Sequence, residues 1–297
     1  MYDFKIIESD ESLKQFITYI KDNDLLTIAM DFEGEFNLHI YGEHLCLIQI
    51  FDSKNFYIID PFKISDNVLK EFLEDKEIEK IMFSCDSDAS LVKKQYNIEI
   101  NNVFDVRIIA LELGFEKGYS ALVENYLDIN IGSKASKKKN QMTNWLKRPL
   151  TDNQIQYALE DVAYLHQLKT VLIDIATKEK KINAAMKKMK TAGKITKPPK
   201  PGWTKITNWK RLSREDKILL KHFFIARDIV AKKLNVPAVR ILEKRKLVDL
   251  LKCYKDDAKL KSTIKNRDYR IERILYPLMK KAIEDAKNEI HTSSKHV

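Results

Sequence analysis

Thr27-Ile28-Ala29-Met30-Asp31-Phe32-Glu33 is the stretch whose reading decides the fold. Leu25, Leu26, Ile28 and Met30 form an apolar run that stops at two acids and Gly34, which predicts a buried strand ending at Glu33. Successive side chains of a strand point to opposite faces, so Asp31 and Glu33 emerge together while Phe32 turns into the packing. Two like charges side by side destabilise each other unless a cation lies between them, and hard oxygen ligands suit Mg²⁺ or Mn²⁺. A solvated strand end gives the same pattern, so the pair acquires meaning from what the rest of the chain supplies.

On either side of this strand the pattern is that of a mixed sheet. Residues 4–7 read as a short strand, and a helix from Asp10 carries Leu13, Phe16, Ile17 and Ile20 at helical spacing. Residues 44–50 and 55–60 are two further apolar runs, joined by connections short enough for adjacent antiparallel strands. The acidic strand then lies inside a meander. Residues 80–83 predict a fourth buried strand and residues 87–96 a helix, and strand-helix alternation after a meander gives a mixed α/β sheet. Asp86 and Asp88 stand at that hinge, where an acid ordinarily caps the helix. If one of them holds a metal it is Asp88, because Asp86 and Ser87 occupy the capping position ahead of it. Residues 104–113 and 119–127 read as two amphipathic helices.

Charge is distributed unevenly along the 297 residues. Residues 1–130 carry 12 Lys+Arg against 26 Asp+Glu, a net of −14, whereas residues 131–297 carry 41 against 17, a net of +24. An acidic centre with a phosphate-gripping surround would have this imbalance, and so would lysine-rich solvated helices. No apolar run approaches a membrane span, the N-terminus lacks a basic-then-apolar leader, and three scattered cysteines make neither a zinc site nor a disulfide framework. The expectation is a cytoplasmic protein with no membrane partner.

Between Ile131 and Thr151 lie six basic residues, Lys134, Lys137, Lys138, Lys139, Lys147 and Arg148, and no acid. Such a loop is suited to phosphates, with Lys138, Lys139 and Arg148 as the candidate nucleic-acid contacts. Thr151-Asp152 then opens a long helix on which Tyr157 and Asp161, four residues apart, share a face. The carboxylate can join a metal cluster while the phenol orients a water one turn away. A core aromatic beside a surface acid would have the same spacing.

Asp31-x-Glu33, Asp88 and Tyr157-x-x-x-Asp161 together resemble the three exonuclease motifs of the DEDD superfamily, tyrosine subtype. Leu45-Cys46-Leu47-Ile48-Gln49-Ile50 followed by Ile59-Asp60-Pro61, and Thr143-Asn144-Trp145-Leu146-Lys147-Arg148-Pro149-Leu150 before Tyr157, are similar to the ribonuclease D family. The resemblance implies an α/β ribonuclease H-like mixed-sheet domain and 3′ to 5′ hydrolysis of phosphodiester bonds with two Mg²⁺ or Mn²⁺ ions. It makes Asp31, Glu33, Asp88 and Asp161 the metal ligands and Tyr157 the residue that positions the attacking water. Gln156 stands one residue before Tyr157, where the sister subtype would have a histidine. Two positions depart from the family pattern: Gly34 follows the glutamate where an aromatic is usual, and Asn144 replaces an aspartate, as in the Werner-type DNA exonucleases.

From Lys178 to Lys205 there are ten lysines and one acid, with Pro198, Pro199, Pro201 and Gly202 clustered inside, which predicts a linker. Beyond it several short helical patterns predict an all-α bundle. Trp203 to Trp209, Arg227-Asp228-x-x-Ala231, Val236-Pro237 and Leu247-x-x-Leu250 resemble the HRDC domain, a helical nucleic-acid binder. The expected organisation is an exonuclease domain over 1–192, a basic linker over 193–208, an HRDC domain over 209–290 and a disordered polar tail over 291–297. The expected activity is a monomeric 3′ to 5′ exoribonuclease trimming RNA such as tRNA precursors. A DNA exonuclease acting on single strands, or a non-catalytic RNA-binding protein on the same fold, are the competing readings.

Overall fold

The computed structural model describes residues 1–131, 140–195, 200–206 and 208–294. Six strands form one sheet: β1 (Phe4–Ile7), β2 (Thr27–Phe36), β3 (Glu43–Phe51), β4 (Phe56–Ile59), β5 (Glu79–Met82) and β6 (Val103–Asp105). They lie in the order β1-β4-β3-β2-β5-β6. β3 and β4 pair antiparallel with Ile48 opposite Ile59, while β1 runs parallel to β4 and β5 runs parallel to both β2 and β6. The expected mixed sheet is therefore present, with the acidic strand in its interior.

Two expectations at the strands fail. β2 does not end at Glu33 but runs on to Phe36, so the acids stand inside a strand, where the ladder fixes their backbone more tightly than a frayed end could. Phe104 and Asp105, read as the first turn of a helix over 104–113, instead form β6 with Val103, and the chain turns helical only at Val106. Three residues carry too little periodicity to announce a strand. Pairing of Ile81 with Phe104 makes it one.

The helices of this unit are α1 (Asp10–Asp22), α2 (Asp66–Glu74), α3 (Asp86–Tyr96), α4 (Val106–Glu112), α5 (Tyr119–Leu127), α6 (Asp152–Ala163), α7 (Leu165–Lys178) and α8 (Ile182–Met189). α1 starts with a capping box in which Ser9 and Ser12 satisfy each other's backbone N–H groups. It buries the four apolar residues at helical spacing, Leu13, Phe16, Ile17 and Ile20. Leu13, Phe72, Ile28, Met30, Ile81, Leu91, Val106, Leu122, Leu168 and Leu172 belong to one continuous core between sheet and helices. A second, smaller cluster joins Cys46, Leu47 and Ile58 of the sheet to Trp145, Tyr157, Ala158 and Leu159. That cluster seats α6 on the strands beside the acids.

The chain divides into two compact units, Met1–Glu35 with Glu43–Pro198 and Phe36–Gly42 with Pro199–Val297. The expected linker is shorter than residues 193–208. Gly193 has φ +74°, and a Cβ there would lie 2.5 Å from the Ile100 carbonyl oxygen, so the chain at this point is seated against the first unit. Gly202–Lys205 and Trp209–Arg211 are 3₁₀ turns of the second unit, and Trp203 packs edge-to-face on Phe224.

Among the described residues from Lys200 on, the regular elements of the second unit are all helical: α9 (Arg214–Leu234), α10 (Ala238–Ile241), α11 (Lys244–Cys253), α12 (Asp257–Ile264) and α13 (Tyr269–Ser294) follow the two 3₁₀ turns. α9 and α13 pack together, contributing Leu219, Leu220, Phe223, Val230, Leu275, Met279 and Ala286 to a core that also takes Leu247 and Leu250. The polar tail expected from His291 is helical as far as Ser294, because α13 extends past its last buried side chains. Among the described residues no helix is long and apolar enough to cross a membrane.

Candidate active site

β2 and α6 build the site from opposite ends of the first unit's sequence. β2 presents Asp31 and Glu33 on one side and buries Met30 and Phe32. α6 opens at Thr151, whose side chain accepts from the Gln154 N–H while Gln154 returns the bond to the Thr151 N–H. That cap fixes the register in which Tyr157 and Asp161 face the strand. Carboxylate oxygens of Asp31, Glu33 and Asp161 all lie within 4.8 Å of one another. Tyr157 is buried one helical turn from Asp161, whose charge acts on its phenol, and its ring lies 6.2 Å from that of Trp145.

Asp88 stands on the first turn of α3, buried and outside the tight group of three. It is close enough for its charge to act on both Asp31 and Glu33. The expected cap at Asp86-Ser87 is not how this hinge is held: Cys85 is the N-cap and makes no side-chain cap bond. Asp105, at the end of β6, instead accepts from the N–H groups of Ser84 at 2.8 Å and Cys85 at 2.9 Å. Two backbone donors taken by a carboxylate from a neighbouring strand leave Asp88 free of capping duty.

The electrostatics are those of acids forced together. Burial first, then the charges of Asp88, Asp161 and Glu33, raises the Asp31 carboxyl well above the usual carboxylate range. Burial, Asp161 and Asp88 do the same to Glu33. Burial, with Asp105 and Asp86, pushes Asp88 up to about 8. Burial and the charges of Asp161, Glu33 and Asp31 also raise the Tyr157 phenol, which keeps its proton as a donor. The charges acting most on this cluster are other carboxylates. An all-oxygen donor set, partly buried and mutually repelling, fits a hard divalent cation, which would restore every one of these groups to its ionised form.

A cavity of about 460 Å³ opens onto the cluster, lined by Asp31, Tyr157 and Asp161 on one side and Phe83, Lys117 and Tyr119 on another. Tyr119 was not singled out by the sequence, where it reads as the start of an amphipathic helix. Its hydroxyl donates to the Glu160 carbonyl oxygen at 3.3 Å and its ring lies 5.6 Å from that of Phe83. An aromatic at the first position of a helix that follows Gly118 is the signal that could have found it.

Arg148 corrects an expectation. Its Nε and Nη2 donate to Asp60 at 2.7 and 3.1 Å, Nη2 also to the Cys46 carbonyl at 2.7 Å, and Nη1 to the Trp145 and Lys147 carbonyls at 2.8 and 3.0 Å. Five donors are spent on five protein acceptors, so no N–H remains for a phosphate. The residue clasps the loop that carries Trp145. Lys138 and Lys139 lie outside the described residues. Gln156 pairs its amide with both backbone groups of Tyr2, and Asn144 accepts the Leu146 N–H at 3.0 Å, so both are held in local structure.

A mixed sheet whose strand carboxylates meet a helix carboxylate and a phenol beside an open cavity defines a protein of the acidic-cluster nuclease class. Within that class the chain belongs to the 3′-5′ exonuclease family, whose sequence pattern matches residues 4–175, and its relatives are ribonucleases D. It is 29% identical over 172 residues to ribonuclease D of Haemophilus influenzae, covering 57% of this chain and 41% of that protein. To ribonuclease D of Zymomonas mobilis it is 29% identical over 255 residues, covering 82% and 63%. The chain thus spans less than two thirds of the length of these relatives. Among solved structures it superimposes on Escherichia coli RNase D, described as an exoribonuclease involved in structured RNA processing, with TM-score 0.73 and 25% identity over 94% of this chain and 75% of that one. The catalytic core of Trypanosoma brucei RRP6, at 16% identity and TM-score 0.75, shares the fold, with 97% of this chain and 81% of that one covered.

Proposed function

We propose that this chain is a divalent-metal-dependent 3′ to 5′ exoribonuclease that removes nucleotides from RNA 3′ ends, tRNA precursors among them. The observation that carries this reading is the convergence of Asp31, Glu33 and Asp161 beside the Tyr157 phenol at the edge of an open cavity. Asp31, Glu33, Asp161 and Asp88 would hold two Mg²⁺ or Mn²⁺ ions. The chemistry such ions would supply when bound is charge neutralisation at the scissile phosphate, a lowered pKa for the attacking water and stabilisation of the leaving oxygen. The protein's own contribution is placement. Tyr157, packed on Trp145, would present a protonated phenol to a water in line with the phosphate. Asp105 sets the turn from which Asp88 projects, and Tyr119 with Phe83 gives the cavity an aromatic wall suited to a nucleobase.

The helical unit is assigned as an HRDC domain that holds the RNA substrate, with Lys138 and Lys139 adding phosphate contacts. The protein acts as a cytoplasmic monomer on this reading. Asn144, the residue that pointed toward DNA exonucleases, accepts the Leu146 N–H within its own loop, and the preference for RNA is drawn from the ribonuclease D relatives. The test is to incubate 5′-labelled single-stranded RNA and the matching DNA separately with the protein and Mg²⁺, Mn²⁺ or EDTA. A cation-dependent ladder shortening from the 3′ end on RNA, and hardly on DNA, is expected. A preference for DNA moves the protein to the repair exonucleases, and no ladder on either overturns the enzymatic reading.

A further inference from the structure

Gln49 sits in β3 among Leu47, Ile48 and Ile50 with no exposed surface. Its Nε2 donates to Asp31 Oδ2 at 2.9 Å, whereas its Oε1 is buried and finds no donor among the described residues. A buried acceptor without a donor is a standing cost to the fold, and each such atom in a native interior calls for a reason. Methionine, unbranched and of similar length, would fill this place with no polar atom to satisfy. The fold alone therefore favours an apolar residue at position 49, and the benefit of the amide lies at its other end.

There it meets a carboxylate that faces three other acids. A lysine or arginine in its place would neutralise Asp31 and compete with a cation, and an acid would add to the repulsion. A neutral N–H donor does neither: it fixes the carboxylate plane through one oxygen and leaves the charge intact. We propose that Gln49 is a positioning residue for divalent-cation binding, holding Asp31 in the orientation the cluster needs at the expense of one unsatisfied buried oxygen.

The inference rests on the proposed function for the identity of the cluster as a cation site, and the test separates the two. Mn²⁺ is titrated calorimetrically into the full chain, into Gln49→Met, Gln49→Leu and Asp31→Asn, and each is also melted in EDTA. Gln49→Met is expected to unfold in EDTA at the parent temperature or above, while its Mn²⁺ dissociation constant rises roughly 10–100-fold, the usual consequence of losing a partner that orients a ligand. The defect in turnover should appear in the Mn²⁺ concentration needed for half-maximal rate and leave the KM for RNA in place. Parent-like Mn²⁺ affinity in the Met and Leu variants overturns the proposal. So does a lowered melting temperature of both variants in EDTA, which would assign the amide to the fold. If Asp31→Asn binds Mn²⁺ as the parent does, the cluster is not the cation site and the proposed function falls with the inference.

Discussion

Asp60 and Asp31 are both buried or half-buried carboxylates of the same sheet unit, and they are treated in opposite ways. Asp60 receives the Arg148 guanidinium through two nitrogens, and every remaining Arg148 donor finds a carbonyl. Asp31 receives one neutral amide and faces three acids. A carboxylate paired in full holds a loop in place, whereas carboxylates crowded against one another store a demand for charge that a ligand can meet. Lys80 makes a third case, a fully buried ammonium whose hydrogen bonds go to the carbonyls of Asp75 and Asn101. Unpaired burial by itself is therefore not a mark of function. Convergence of several groups on open space is.

This contrast can be broken in four places. Asp31→Asn or Asp161→Asn should abolish cleavage of labelled RNA while raising the melting temperature of the metal-free protein or leaving it alone, because one repelling charge is gone. Turnover in either variant would remove that residue from the cation site. Tyr157→Phe is expected to slow hydrolysis about 10²–10⁴-fold, the usual range for a lost proton-handling group, with Mn²⁺ affinity in calorimetry unchanged. A rate near the parent's would make the phenol a packing group.

Arg148→Met addresses the opposite region. Removing one partner of a buried pair costs about 3–5 kcal/mol, and with the Arg148 side chain 29% exposed a loss of about 2 kcal/mol in urea unfolding is expected. Binding of RNA by the folded fraction should keep its salt dependence, since no phosphate contact is lost. A flatter salt slope would restore the phosphate role that the geometry denies. The smallest effect concerns Lys80. Burial holds its ammonium down to about 8, below the ordinary lysine value of 10.5. Between those values the unfolded chain binds a proton that the folded chain does not, so stability rises with pH in that window and the penalty is complete below it. Relative to Lys80→Met, the parent should gain about 1.6 kcal/mol between pH 8 and 9.5. A flat difference would show that the two carbonyls keep the ammonium charged.

How much could be read before folding varies with the kind of signal. The alternation that put Asp31 and Glu33 on one face, and the four-residue step from Tyr157 to Asp161, are local periodicities, and the structure brings these residues together as spaced. β6 escaped notice because three residues have no period to detect. A basic residue in a basic loop, Arg148 looks free until its acceptors, Asp60 just after β4 and Cys46 in β3, arrive from 88 and 102 residues earlier. Gln49 and Asp105 were invisible for the same reason: each acts on a partner that the chain places beside it only after the sheet has formed.

The sequence by itself determined the residue types and the periodic elements that carry them: a strand bearing two acids on one side, a helix bearing a phenol and an acid, an acidic sheet-forming half and a basic helical one. Tertiary structure alone decided which acids converge, that Asp88 stands outside the tight group, and which basic and amide side chains are spent inside the protein. Periodicity is a property of neighbours in sequence. The few ångströms that separate a cation site from scattered acids are set by packing α6 against β3 through Trp145, Tyr157 and Leu159, and no local rule contains that distance.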